Sequence, residues 1–403
     1  MKKLISLALA VVMCVACVFC FVSCSKSVDV ELKDGAEITI GVYEPASGDN
    51  GAGGKQETLG VKYANSIKPT VTINGKEYKV KLAIVDNQSS NDKAKTAAAE
   101  LINQNSIVVL GSYGSGVSIA ASETFKEAGV PAIGITCTNP QVTEGNEHYF
   151  RVCFLDPFQG TVLANYAKDE LGATKSYVMA CQGSDYDVGL ADYYKKAFGD
   201  SKCVYETFPQ NTSDFTSYVQ KAIDQSASVI FAPVSVNYAQ LIVSKANDLG
   251  FKGTILAGDT WDSNKIVESA TGKDLDIRVT TFYQEGANAE FDTGFQAWLN
   301  ADAQRLSDNG GNTMVSAVSA MGYDAYMTAL YAIEHAKVDG SKLTSVAVRD
   351  SLAAMKSADN AFKGVTGVIY FNDTGDAVRD TAYIKKIDTA NGNWTFVKEQ
   401  KAS

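Results

Sequence analysis

Histidine is almost missing from this sequence: His148 and His335 are the only two among 403 residues. Chemistry that needs an imidazole base or histidine metal ligands has little to work with. His335 falls inside a helical pattern and reads as a surface residue. Neither H-E-x-x-H nor G-x-S-x-G occurs. Paired-carboxylate catalysis stays open, because any fold can bring acids together, but no spacing argues for it. Positive charge is also short. The 36 Lys and Arg against 46 Asp and Glu leave a net charge of −10, with no basic block. Nucleic acid and anionic lipid surfaces are therefore poor partners. Past the N-terminal segment the cysteines are sparse: Cys137, Cys153, Cys181 and Cys203, with no C-x-x-C among them. No zinc or other metal site is expected from such spacing. They read as small buried thiols; export would permit disulfides, but the spacing assigns none.

What is present is ordinary globular material, 45% hydrophobic and 20% charged, enough for two domains. The chain opens with Lys2 and Lys3 and the apolar run LISLALAVVMCVACVFCFV, a secretory signal pattern over residues 1–23. It ends in FVSC followed by SKS, which resembles a bacterial lipoprotein cleavage site with Cys24 as the lipidated residue. An uncleaved anchor is the alternative, since the run approaches the ~20 residues that span a bilayer. Residues 24–36 then read as a lipidated cysteine and polar tether.

From residue 38 short β-branched runs alternate with helical patterns. The strand-like runs are ITIGVY, VKLAIVD, IVVLG, PAIGIT, SYVMAC, CVYETF, SVIFAPV, TILAGD and IRVTTFY. Amphipathic stretches such as DKAKTAAAELINQ and YAQLIVSKANDLG lie between them. This alternation predicts an α/β fold of two similar, doubly wound lobes with parallel sheets. Asn74-Gly75 predicts a hairpin turn. Two long helices, AEFDTGFQAWLNADAQRL and AVSAMGYDAYMTALYAIEHAK, follow late in the chain. The runs GVIYFND and YIKKID are expected to pair around a turn at Asp373–Gly375.

Ligands in such sheets bind beyond the carboxyl ends of the strands. After IVVL comes GSYGSGVSIAAS, with Gly111, Gly114, Gly116, Ser112, Ser115 and Ser118, an anion site at a helix start. It does not make G-x-G-x-x-G. The loop after the first strand fails as a phosphate loop: Gln56 follows Gly54-Lys55, and Asp49 stands where the first glycine belongs. No nucleotide or other cofactor is implied. The other strand ends bring Cys137, Thr138, Tyr186, Ser235, Asp259 and Trp261. Ser115 and Thr138 opposite Asp259 suit a zwitterion such as an α-amino acid. Taken singly, each has a plainer role: helix caps for Ser115, Thr138 and Asp259, half-buried aromatics for Tyr186 and Trp261.

The VDN that ends VKLAIVDN, then LGSYGSGVSIAAS, VPAIGITCTNPQVT, HYFRVCFLDPFQGTVLANY, SDYDVGLA and GYDAYMTALYAIE resemble, in order, the exported leucine/isoleucine/valine-binding proteins. Those are type I solute-binding proteins of ABC importers. The resemblance implies a flytrap whose lobes are 37–156 plus 284–380 and 157–283 plus 381–403, with hinge crossings near 154–158, 281–285 and 378–382. It implies that Ser115, Thr138 and the backbone around Tyr113, Gly114 and Cys137 hold a ligand carboxylate. Asp259 would take the ammonium, and Tyr186 would reach the ligand on closure. Gly53 stands where branched-chain binders place an aromatic, Ser235 where they often place a tyrosine, and Asp259 is one methylene shorter than their glutamate. Trp261 is expected to line a reshaped pocket. The implied function is non-enzymatic binding of an amino acid, of branched-chain type or a related small zwitterion. The partner would be a membrane permease, and the protein an exported, lipid-anchored monomer. A sensor handing its closed state to a receptor, or an exported α/β enzyme, are the rival readings.

Overall fold

A computed structural model describes residues 27–402. The signal segment, Cys24 and the first cysteines lie outside the described residues. The chain begins with a short strand, β1 (Asp29–Glu31), paired antiparallel with residues 342–344. The expected tether is therefore shorter than residues 24–36. Val28, Val30 and Leu32 alternate and pack against the first lobe, which gives this polar stretch a face to bury.

The first sheet is built from β2 (Glu37–Glu44), β3 (Thr70–Ile73), β4 (Lys76–Asp86), β5 (Ser106–Leu110), β6 (Ala132–Gly134) and β7 (Tyr149–Arg151). Between them run α1 (Gly51–Ile67), α2 (Asn91–Asn103) and α3 (Ser115–Glu127). The strand order is β3-β4-β2-β5-β6-β7, parallel except for the β3–β4 hairpin, where Asn74 and Gly75 take positive φ. Every residue of β5 is buried, as expected for a parallel strand covered on both faces. Each fully buried Val or Ile there contributes roughly 1.5–3 kcal/mol.

The second sheet begins after α4 (Asp156–Asp169), which starts five residues earlier than the run TVLANYAKDEL suggests, with Pro157 in its first turn. It holds β8 (Ser176–Cys181), β9 (Cys203–Phe208), β10 (Val229–Phe231), β11 (Thr254–Ala257) and β12 (Asp276–Thr281). These alternate with α5 (Asp185–Phe198), α6 (Thr216–Asp224), α7 (Val236–Asp248) and α8 (Asn264–Ala270). The chain then returns to the first lobe with α9 (Ala289–Asn300), α10 (Ala303–Asp308) and α11 (Ala317–His335). The first of the two expected long helices is thus broken. Asp302 accepts from the N–H groups of Gln304 and Arg305 and starts a new helix. Helix α11 lies along α1, and the contact needs glycine on both sides. A Cβ on Gly60 would sit 1.9 Å from the Ser319 carbonyl, and one on Gly322 2.3 Å from that of Glu57.

After β13 (Lys342–Thr344) and α12 (Ser345–Ala353), the chain forms the hairpin β14 (Phe362–Gly364) and β15 (Gly367–Ile369). It then crosses back as β16 (Ala382–Asp388) and β17 (Asn393–Gln400). The expected pairing of GVIYFND with YIKKID does not occur. The first pairs with β14, while β16 lies between β12 and β17 in the second sheet, order β17-β16-β12-β11-β10-β8-β9. Only Phe371 and Ala377 bridge around the turn. The reason is burial: β16 carries Ala382, Ile384 and Ile387 into the second lobe, together with Lys385, which meets Asp262 at 3.0 Å. The chain thus passes between the sheets after β7, after β12 and before β16. No disulfide forms among the described residues; Cys137, Cys153 and Cys181 are buried thiols and Cys203 is half-buried.

Candidate functional site

Helices α1, α2 and α3 of the first lobe and α5 and α7 of the second all begin at one interlobe cavity of about 320 Å³. The loops that carry these helix starts are pinned by side chains at strand ends. Asp86, at the end of β4, accepts from Ala46 N, Ser47 Oγ and Gln88 N. Those bonds hold its carboxyl below the usual range despite partial burial. Asn87 donates to the Tyr43 carbonyl and to Ser112 Oγ. Glu44, at the end of β2, accepts from Tyr113 N at 2.8 Å. The VDN motif is thus a clamp on the glycine-rich turn.

Gly114 is the residue before α3, in extended conformation, and Ser115 is the first helical residue. Ser115 is therefore not a cap. It lies on the cavity wall with Tyr113 and Gly114, and its Oγ accepts from Asn139 N at 3.3 Å. Thr138 does not reach the cavity wall. It is not a cap either: Asn139 caps the short turn at Pro140–Val142. The Thr138 side chain neighbours Asp156 inside the protein, and Cys137 is fully buried, its carbonyl accepting from Arg151 at 2.8 Å. From the second lobe, Tyr186, Ser235 and Thr260 line the cavity. Tyr186 Oη donates to Asp259 Oδ1 at 2.8 Å, and Gln159 Nε2 donates to the same oxygen at 2.7 Å. Asp259 lies just behind the wall, 2% exposed, and does not cap α8; Ser263 does. Trp261 is 0% exposed and packs in the second lobe's core. It is absent from the cavity wall, so the expectation that it lines a reshaped pocket is corrected. Sequence reading placed it two residues after Asp259, but the turn at 259–261 rotates its ring inward.

The lobes meet directly across the cleft. Tyr113 Oη donates to the Thr260 carbonyl, Asn139 Nδ2 to the Asp185 carbonyl and Tyr238 Oη to Asp49 Oδ2. Tyr113 also explains Gly53. A Cβ at position 53 would lie 2.3 Å from the Tyr113 ring, so that ring occupies the room that a larger residue there would need.

Sequence reading missed a group of buried acids behind this wall. Glu44 and Glu57 face each other; Glu44 Oε1 and Glu57 Oε2 have no donor, so a shared proton is the only partner available. Neither oxygen of Asp156 has a hydrogen bond. Burial raises Glu57 and Asp156 to about 8 and Asp259 to about 6, and lifts Glu44 well above its ordinary value. Asp259, from the other lobe, adds to the shifts of Glu57 and Asp156 by repulsion. The signal was available: Glu44 closes an apolar strand, and Asp156 sits within VCFLDPF.

The sequence pattern of the periplasmic binding protein family matches residues 37–393. The chain belongs to this family. It is a family of binding proteins and not of enzymes. A Leu/Ile/Val-binding protein homolog of Brucella suis is 26% identical over 372 residues, 90% of this chain and 94% of its own. The leucine-binding protein LivK of Thermotoga maritima aligns with a TM-score of 0.78 at 28% identity, covering 90% of this chain and 99% of its own. The branched-chain amino acid transporter substrate-binding protein LivJ of Streptococcus pneumoniae, solved with isoleucine, gives 0.76 at 25% identity, with 90% and 99% covered. Among the described residues of this periplasmic binding protein, no helix is long and apolar enough to cross a membrane.

Proposed function

We propose that this chain is the substrate-binding component of an ABC importer, exported and held at the membrane through Cys24, and that it delivers an α-amino acid to a permease. The lobes 37–156 plus 284–380 and 157–283 plus 381–403 close about the three crossings between the sheets. One observation carries the reading. The start of α3, with Ser115, faces Tyr186 of the other lobe across a single cavity, and Asp259 stands just behind Tyr186 as the acceptor of its hydroxyl. Free N–H groups and a hydroxyl at a helix start suit a carboxylate. A buried carboxylate with an ordered tyrosine suits an ammonium. With its pKa near 6, Asp259 is mostly ionised at neutral pH. Ligand binds the closed arrangement better than the open one, and that difference drives closure.

The test is calorimetry of the intact chain against α-amino acids, with Asp259→Asn beside it. The substitution is expected to weaken an amine-bearing ligand by roughly 30-fold or more, because its ammonium loses a buried counter-charge. An unchanged dissociation constant would refute the assignment.

A further inference from the structure

The cavity wall is unlike a pocket for a branched aliphatic side chain. Among the described residues its lining has one aliphatic side chain, Val117. The rest is hydroxyl, amide, phenol, glycine and carboxylate, with one thiol. Four carboxylates stand on it: Asp49 and Asp92 from the first lobe, Asp185 and Asp187 from the second. No lysine, arginine or histidine answers them. Asp185 presses closely on the start of α3, where Oδ2 would lie 2.7 Å from a Cβ on Gly116. Asp187 is 4% exposed, and burial raises its pKa to about 7 although it accepts from Cys181 N and Ser184 Oγ, so a cation on the ligand would favour its ionised form. Ser235 is 8% exposed, lies on the wall, and its Oγ has no partner. Behind Tyr113, Tyr186 and Thr260 stand Asp259 and three further acids, Glu44, Glu57 and Asp156, which burial keeps protonated near neutral pH, so the charge that a ligand meets is that of the wall and of Asp259.

A neutral zwitterion adds one positive and one negative charge, so it leaves this excess as it found it. Wall carboxylates without a counter-ion repel one another, and a second positive centre on the ligand would be attracted by them. From this we infer that the ligand carries a net positive charge: an α-amino acid with a basic side chain. Its carboxylate would lie at the start of α3, its ammonium by Tyr186 and Asp259, and its side-chain cation between Asp49, Asp185 and Asp187. Ser235 Oγ would be a further hydrogen-bonding group on that path. The inference rests on the amino-acid reading above and sharpens it.

The experiment titrates the intact protein with L-arginine, L-lysine, L-leucine and L-glutamine. Arginine or lysine is expected to bind at least about tenfold more tightly than both neutral amino acids. Leucine or glutamine binding as tightly as the basic pair would overturn the inference and leave the amino-acid reading standing. No binding by any of the four would overturn both. Asp185→Asn, an exposed change that spares the core, supplies the second measurement. It is expected to weaken the basic ligand roughly threefold relative to leucine. Equal weakening of cationic and neutral ligands would count against it.

Discussion

Two sets of buried charge in this protein are treated in opposite ways. Below the first sheet Arg151 is fully buried and completely answered. It donates to Asp376 at 2.5 Å, to the Cys137 and Asn139 carbonyls and to Thr143 Oγ1. In the second lobe Lys385 meets Asp262, which also accepts from Thr281. Around the cleft, Glu44, Glu57 and Asp156 are buried without a salt bridge, and burial raises all three pKa values so that they keep their protons. The paired set locks strands and loops together. The unpaired set is kept uncharged by burial at the place where the lobes meet, beside the cavity proposed to hold the ligand.

The comparison breaks most visibly at Arg151. Arg151→Met is expected to destabilise the protein by about 3–5 kcal/mol in urea unfolding, because buried Asp376 loses its counter-charge and keeps only the Thr143 and Thr374 hydroxyls. A loss below about 1 kcal/mol would show the pair to be dispensable. The opposite sign is expected in the cleft. Glu57→Gln removes one of two facing carboxyls and supplies an amide donor for Glu44. It is expected to raise ligand-free stability by about 1–2 kcal/mol. Destabilisation there would mean that Glu57 is an ordinary structural acid. A third effect is on pH dependence. A carboxyl whose pKa is raised by folding keeps its proton better in the folded state, so its contribution falls as pH rises. With Asp259 near 6 and Glu57 and Asp156 near 8, the ligand-free melting temperature is expected to fall between about pH 4 and pH 8. A rise over that window in differential scanning calorimetry would contradict the unpaired reading.

Much of the fold was legible in the sequence because period and β-branching are local properties. The strands from ITIGVY to IRVTTFY could be marked from the order of residues alone. That Ser115 and Tyr186 reach the cleft, with Asp259 just behind it, was legible for the same reason, since each lies just past a strand end. Trp261 and Thr138 were not, because a turn of two or three residues decides whether a side chain faces the cleft or the core. The partner of β16 was not legible either: YIKKID fits either sheet by pattern, and burial of Ile384 and Lys385 in the second lobe chose one.

Composition, periodicity and glycine placement were enough to specify an α/β chain in two lobes, with a glycine-rich turn at 111–116 leading into a helix and little means of catalysis. The remainder came from folding in three dimensions. Packing set Tyr113 over Gly53, turned Trp261 inward, and gathered Glu44, Glu57, Asp156 and Asp259 from distant segments behind one wall. Electrostatic energy depends on distance in space and on loss of water, and neither is written in the order of the residues.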